Sequence, residues 1–245
     1  MKHKLGWIRD PHDERDYQFK SGLLDRLMAK DHSDLSHLVS IYDQLVIGSC
    51  TAQALAQAVR MCRLINGKEP FDPSRLFIYF AERELEGTIN EDAGAIIRDG
   101  CKVLAKLGAP HESLWPYDVS KFRERPSKTA YDDAMDQQVI RYYRLPQALL
   151  SMRACLSTGY PFVFGFKVYE NFETIGSDGL MPTPHGECLG GHAVIAVGHD
   201  DKTKRIKVAN SWGTTFGDKG FFYMPYSVTV SPRLCNDFWT IREVE

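Results

Sequence analysis

The hydrophobic pattern changes along the chain, from helical spacing in the first half to strand-like runs in the second. Small apolar residues recur every fourth position between Cys50 and Leu64, and Asn66-Gly67 follows, which predicts a largely buried helix. Further helices are predicted at Ser74–Leu85, Ala95–Leu107 and Leu145–Ser157. Most of the helical content is therefore expected before residue 110.

From residue 161 onward, β-branched and aromatic residues dominate the apolar runs. The predicted strands are Phe162–Val168, His192–Gly198, Arg205–Ala209, Phe221–Met224 and Phe238–Ile241. The polar turn at 199–204 joins two of them and predicts a hairpin. A helical half followed by an antiparallel half is typical of the α+β class.

The same pattern suggests three parts. Residues 1–40 are polar and are interpreted as an N-terminal arm, with one short predicted helix at Leu23–Ala29. Residues 41–145 form a predicted helical lobe and residues 146–245 a predicted β lobe. Within the helical lobe, the polar stretch at 115–137 is interpreted as an irregular bridge.

Composition excludes several classes of function. The formal charge is −2, so neither nucleic acid nor an acidic membrane is an expected partner. The N-terminus has no apolar signal segment, and no run is long enough to span a membrane. Six cysteines without a CxxC pair argue against structural zinc and a dense disulfide network. We expect a monomer without metal or organic cofactor, cytoplasmic or delivered elsewhere without a classical signal peptide.

Candidate chemistry lies at the start of the first long helix. Ser49 is a good N-cap residue, which places Cys50 in the first turn, where the helix dipole tends to lower a thiol pKa. A cysteine nucleophile also needs a base and a group that orients it. His192 and Asn210 lie on the predicted hairpin, where Trp212 could cover their hydrogen bond. Each of these residues alone also fits an ordinary role in a core or a turn.

Together, these residues resemble the papain-like cysteine peptidases. Gln44 lies six residues before Cys50, His192 lies 142 residues after it, and Asn210 follows 18 residues later. The glycine-rich stretch Gly213–Phe221 resembles the segment that follows the asparagine in that family. The similarity covers roughly residues 40 to 245, in the order and spacing of the family.

The resemblance implies a helical lobe and an antiparallel β-barrel-like lobe, with the active site in the cleft between them. It makes Cys50 the nucleophile, His192 the acid and base, Asn210 the group that orients His192, and Gln44 an oxyanion donor. The implied substrate is a peptide or protein, cut internally. The implied substrate-binding residues are Gly94, Ala95, Gly165, Gly191, Ala193 and Trp212. Small residues near Gly165 suggest a roomy apolar pocket for the side chain preceding the cleaved residue.

The sequence departs from the family pattern around the nucleophile. Ile47 replaces the usual upstream cysteine and Thr51 the usual aromatic residue, while Phe216 stands where a second tryptophan is common. The family's disulfide at the nucleophile loop therefore cannot form. Cys188 and Cys235 fall near the place of another family disulfide, and they are either paired or free buried thiols.

The N-terminal arm and the final activity leave alternatives open. Gly6–Asp10 and Arg15–Tyr17 resemble the lead-in of bacterial and viral members without a separate propeptide. Either the enzyme is constitutively competent, or the arm packs over the cleft. Two rival functions also stand beside hydrolysis: peptide binding without cleavage, which a cleft blocked by the arm would favour, and acyl transfer to an amine.

Overall fold

A computed structural model describes residues 3–20, 22 and 29–245 of the chain. The α-helices are α1 (Cys50–Ile65), α2 (Arg75–Glu86), α3 (Ile97–Leu107), α4 (Lys128–Ala134), α5 (Leu149–Ser157) and α6 (Tyr226–Thr229). The strands are β1 (Trp7–Ile8), β2 (His32–Asp34), β3 (Ala95–Ile96), β4 (Val139–Arg144), β5 (Phe162–Tyr169), β6 (Cys188–Asp200), β7 (Arg205–Ala209), β8 (Phe221–Pro225) and β9 (Cys235–Val244).

Helix α1 lies at the centre of the molecule, between the other long helices and the sheet. Twelve of its 16 residues are buried, and its apolar residues share one core with strands β6 and β9. The alanines in this helix have no side chain beyond Cβ, so the helix can pack closely against the sheet. This packing fixes the position of its first residue, Cys50.

The seven-stranded sheet has the order β4-β9-β5-β6-β7-β8, with β2 added antiparallel to β6. Strands β6 and β7 form the predicted hairpin, with Ile195 opposite Ala209. The described strands leave β4 and β8 as ends, so the sheet does not close and barrel-like is only a loose description. A second core of aromatic and aliphatic side chains packs on the other face of this sheet.

Several element boundaries differ from the prediction. Strand β4 pairs with β9, although the boundary at residue 145 assigned it to the helical lobe. Its alternation is irregular because the register shifts twice along this pair, which hides the strand in the sequence. Helix α4 lies within the predicted irregular bridge, and Ser127 caps it by accepting from Ala130 N. The helix predicted at Leu23–Ala29 lies outside the described residues except for Ala29, which is not helical.

The ends of two helices also differ from the prediction. Helix α3 begins at Ile97 rather than Ala95, because Ala95 and Ile96 form strand β3 with the arm. Helix α5 begins at Leu149 rather than Leu145. For α2, Ser74 is the capping residue, and its side chain accepts from Phe77 N.

The N-terminal arm contacts both lobes. Strand β1 pairs in parallel with β3, and Trp7 is aligned with Ala95. Strand β2 instead pairs with the β-lobe strand β6. The arm therefore crosses the boundary between the helices and the sheet before the chain reaches Cys50.

Candidate active site

Cys50 is the first residue of α1 and is completely buried. Its Sγ accepts a hydrogen bond from Ala193 N at 3.4 Å and another from the backbone N–H of Gly6. Ser49 occupies the N-cap position but makes no side-chain cap, because its hydroxyl bonds to Tyr117 Oη instead. The thiol is thus enclosed between the β lobe and the arm.

His192 and Asn210 form the pair predicted from the hairpin. His192 Nε2 lies 2.7 Å from Asn210 Oδ1. The backbone N–H of Ser211 also donates to this oxygen, at 2.8 Å, which identifies it as the carbonyl end of the amide. His192 Nε2 therefore carries the proton, and Nδ1, without a hydrogen-bond partner in the described chain, has a free lone pair. In this tautomer, Nδ1 of His192 is the nitrogen that can accept a proton.

Trp212 covers this pair as predicted. Its ring centroid lies 5.0 Å from that of His192, and its side chain is buried. His3 of the arm stacks on Trp212 in turn, with ring centroids 5.1 Å apart. The hydrogen bond between His192 and Asn210 is therefore shielded from water, which strengthens it.

Gln44 is buried, and both ends of its amide are held. Its Oε1 accepts from Ser211 Oγ at 2.9 Å, so its Nε2 must face the other way. Nε2 donates to Ile47 O at 3.0 Å and to Lys4 O at 2.8 Å. A backbone carbonyl of the arm thus occupies the donor that the resemblance assigns to an oxyanion.

Residues 3–8 of the arm fill the cleft beside Cys50. Ala95 N donates to Gly6 O at 2.8 Å, and the arm continues parallel to β3. Close approach requires glycine on both sides: a Cβ on Gly6 would lie 1.9 Å from Gly48 O, and one on Gly94 would lie 2.1 Å from Gly6 O. The arm therefore occupies the predicted substrate-binding residues Gly94 and Ala95.

The next arm residue fills the predicted side-chain pocket. Trp7 is 8% exposed, and its ring lies against Gly165 and Gly191. A Cβ on Gly165 would lie 2.0 Å from the indole ring, so the ring fits only because this residue is glycine. Ala193, opposite Gly165 in the sheet, lies on the Cys50 side. All six predicted substrate-binding residues are thus brought together around the arm or the thiol.

Five charged side chains, which we name the anchoring cluster, fix the arm beyond the cleft. Asp10 and Asp16 come from the arm, Arg98 from α3, Arg144 from β4 and Asp237 from β9. Asp16 pairs with Arg98 at 2.8 Å, and Arg144 pairs with all three carboxylates at 2.9–3.1 Å. The cluster holds three carboxylates against two guanidinium groups, one negative charge in excess.

Burial changes the protonation of two members of the cluster. Burial and, after it, the neighbouring Asp237 carboxylate raise the pKa of Asp10 to about 6. Burial likewise raises the pKa of Asp237. Hydrogen bonds from Trp239 Nε1 and Arg98 N to Asp10 act in the opposite direction, since they favour the charged carboxylate.

Burial also decides the charge of Cys50 and His192 when the arm is in place. It raises the pKa of the Cys50 thiol to about 11, against the lowering by hydrogen bonds from Ala193 and Gly6. It lowers the pKa of His192 to about 4, although the bond to Asn210 favours the charged form. The lowered thiol pKa expected from the helix terminus is therefore wrong for this closed state, because desolvation outweighs the dipole.

Three further residues of the site were not predicted from the sequence. Ser211 orients both Asn210 and Gln44, Tyr117 donates to Gln44 O, and Asp237 binds Trp7. Ser211 stands between Asn210 and Trp212, and that position is its only signal in the sequence. All six cysteines are free, and Cys188 is exposed rather than buried, whereas Cys235 is buried.

Within residues 3–20, 22 and 29–245, no group of three or more His, Cys, Asp or Glu side chains could hold a metal ion. None of the helices in these ranges is both long and apolar enough to cross a bilayer.

Comparison with known proteins agrees with this geometry. A family model described as papain family cysteine protease matches residues 29–236. A peptidase C1-like protein of Acanthamoeba polyphaga mimivirus is 40% identical over 223 residues, covering 86% of this chain and 72% of the viral one. The crystal structure of xylellain, a cysteine protease from Xylella fastidiosa, is 39% identical with a TM-score of 0.92, and covers 100% of this chain and 98% of its own.

The fold extends to more distant proteins. Procathepsin B S9 from Trypanosoma congolense is 18% identical and superimposes with a TM-score of 0.80, covering 98% of this chain and 86% of the other. At that identity the likeness is one of fold alone.

Proposed function

Because this chain belongs to the papain family of cysteine proteases, we propose that it hydrolyses peptide bonds with Cys50, His192, Asn210 and Gln44. The observation that carries the proposal is the His192–Asn210 pair, which leaves Nδ1 unbonded in the described chain, one residue before Ala193, whose N–H donates to Cys50 Sγ. The fixed Nε2 of Gln44 supports it further, since this donor already binds a backbone carbonyl of the arm.

In the proposed reaction, His192 Nδ1 takes the proton of the Cys50 thiol once a peptide has replaced the arm. The thiolate attacks the substrate carbonyl carbon, and a C–S bond forms as the carbonyl oxygen becomes negative. Gln44 Nε2 donates to that oxygen, in the place of Lys4 O. The protonated His192 then gives its proton to the leaving amine as the C–N bond breaks.

The second half of the reaction uses the same groups. His192, again neutral, removes a proton from a water molecule that attacks the thioester carbonyl. The C–S bond breaks, the acid product leaves, and Cys50 regains its proton. Asn210 holds the His192 ring and tautomer throughout, without adding a second charge to the pair.

The arm adds a condition to this proposal. With residues 3–8 in the cleft, both catalytic groups are neutral and the oxyanion donor is occupied. We therefore propose that the closed state is latent and that a substrate is cut only after the arm leaves the cleft. The substrate is proposed to be a peptide or protein cut internally, and the enzyme to be a monomer.

The occupied cleft also favours a second candidate, a peptide-binding protein of the same fold that does not cleave. Acyl transfer from the thioester to an amine is a third. The three differ in their products: two shorter peptides, no product, or a peptide extended by the amine.

The test is to incubate the full chain with a mixture of quenched fluorogenic peptides and to identify products by mass spectrometry, with and without an added amine. Wild type is compared with Cys50→Ala and His192→Ala. We expect hydrolysis by wild type, even if slow, and its loss in both variants. Equal turnover by wild type and Cys50→Ala would exclude the proposed nucleophile, and products carrying the amine would favour acyl transfer.

A further inference from the structure

The pocket that holds Trp7 has a carboxylate at its base. Trp7 Nε1 donates to Asp237 Oδ2 at 3.1 Å, and this carboxylate is 2% exposed. The other oxygen, Oδ1, accepts from Arg144 Nη2 at 3.1 Å. The pocket that the sequence predicted to be apolar therefore combines two glycine walls with one buried acceptor.

This pocket adjoins the reacting atoms. Gly191, one of its walls, precedes His192 in β6, and Gly165 is opposite Ala193, whose N–H donates to Cys50 Sγ. Gly6, next to Trp7, places its own N–H on the same sulfur. A peptide that replaces the arm and pairs with Ala95 as Trp7 does places one of its side chains in the space that Trp7 occupies.

From this geometry we propose that the pocket selects substrates with tryptophan near the cleaved bond, and that Asp237 is the specificity residue. The proposal rests on the proposed peptidase function and names the substrate class of that site. The indole ring fills the space between Gly165 and Gly191, and its N–H satisfies Asp237. A phenylalanine has no donor and leaves the buried Oδ2 of Asp237 without this bond, which is costly.

The charge around Asp237 favours a tryptophan side chain in the pocket over arginine or lysine. Withdrawal of the arm removes Asp10 and Asp16 from the anchoring cluster and leaves Asp237 with two guanidinium groups, those of Arg98 and Arg144. The remaining charge is then +1 rather than −1. A cationic side chain would enter against this charge, whereas a neutral indole donates its hydrogen bond without adding another.

The decisive comparison is between tryptophan and 3-benzothienylalanine, which replaces the indole N–H by sulfur and keeps the shape of the ring. The assay uses the full chain and four fluorogenic peptides that differ at one position, the residue before the one whose carbonyl is attacked. That position holds tryptophan, 3-benzothienylalanine, phenylalanine or arginine. We expect kcat/KM for tryptophan to exceed that for 3-benzothienylalanine by about tenfold to a hundredfold, as for a hydrogen bond to a charged acceptor.

Asp237→Asn tests the residue itself. Asp237 has a φ of 58°, a left-handed conformation that asparagine tolerates, so this variant is the one expected to fold. In this variant the amide oxygen keeps the hydrogen bond from Arg144, so the NH2 group faces the substrate. The preference for tryptophan over 3-benzothienylalanine is expected to fall to about one. Asp237→Gly removes the acceptor and also suits a positive φ, while Asp178→Asn on the surface is the matched control.

The readout is a ratio of two substrates in one protein, so looser binding of the arm in a variant does not affect it. Equal kcat/KM values for tryptophan and 3-benzothienylalanine in wild type would overturn the pocket assignment and leave the peptidase intact, as would a preference for arginine. Absence of Cys50-dependent cleavage of all four peptides, together with no cleavage in the broader peptide mixture, would instead overturn the proposed function.

Discussion

The orientation of single amide groups determines which atoms of the site can react. Ser211 contacts two of them: its N–H binds Asn210 Oδ1, and its hydroxyl binds Gln44 Oε1. The first contact fixes the Asn210 amide and, through it, the orientation of the His192 ring. The second contact fixes the orientation of the Gln44 amide. The proton on His192 and the donor on Gln44 are therefore both set by the residue that follows Asn210.

Replacing Gln44 by alanine removes the side-chain donor for the oxyanion. We expect kcat/KM to fall by about a hundredfold to a thousandfold, the usual cost of losing one such donor, measured with any peptide that wild type cleaves. Gln57→Ala is the matched control, because Gln57 is a buried glutamine that instead accepts from Ser40 N. Equal losses in the two variants would mean that Gln44 acts only through stability.

Residue spacing was enough to propose Cys50, His192, Asn210 and Gln44 as one site, because their types and order are unusual together. It was not enough to predict Asp237, whose hydrogen bond to Trp7 joins residues 230 positions apart. A pairing of that kind has no local signal in the sequence. The expected lowering of the Cys50 pKa failed because the sequence left open whether the arm packs over the cleft, and in the structure the arm helps to bury the thiol.

At the scale of elements, the part of the arm in the cleft is a short strand whose fit depends on glycines on both sides, and Gly6 is the one in the arm itself. Gly6→Ala would place a Cβ 1.9 Å from Gly48 O, a backbone atom that cannot turn aside. We expect this variant to hold the arm out of the cleft, to retain its fold, and to react with iodoacetamide at Cys50 at least tenfold faster than wild type at pH 6. The rate is read by peptide mass spectrometry.

A second glycine provides the control for that experiment. Gly176→Ala meets only Asp178 Oδ1, at an ordinary 3.8 Å, and Gly176 lies outside the arm. Its Cys50 alkylation rate should equal that of wild type. If Gly6→Ala also alkylates at the wild-type rate, either the arm tolerates the extra methyl group or it does not limit access to the thiol.

Elements with strong patterns were predicted well, and those set by tertiary contacts were not. Strand β7 has the predicted bounds, and its hairpin with β6 is confirmed. Strand β4 was missed because its bulged pairing breaks the alternation, and β3 because it exists only as the partner of β1. The start of α3 moved for that reason.

At the scale of the whole molecule, the anchoring cluster joins the arm to both lobes and makes closure depend on pH. The pKa of Asp10 is about 6 in the closed state and returns towards its ordinary value of 3.8 when the arm is free. Closure of the arm therefore takes up a proton when the pH lies between these two pKa values. The stabilisation is fully present below about pH 4 and is lost as the pH rises through 6.

Hydrogen exchange of the arm amides, corrected for intrinsic rates, measures this dependence. In a Cys50→Ala chain that cannot digest itself, protection of the arm should decrease by about tenfold to a hundredfold from pH 4 to pH 7. Asp10→Asn mimics the protonated form and should flatten most of this change. Glu14→Gln, a change at an exposed carboxylate of the same arm, should leave it intact. Protection that increases with pH in wild type would contradict the assignment.

The glycine-walled cleft and the strand that fills it belong to one polypeptide, so the arm binds the cleft as an intramolecular ligand. A tethered segment of this length acts at an effective concentration in the millimolar range, whatever the dilution of the protein. A substrate meets only the open fraction, so a closed-to-open ratio of about 100 raises its apparent KM about a hundredfold. Dilution cannot activate such an enzyme, whereas a locally crowded substrate can.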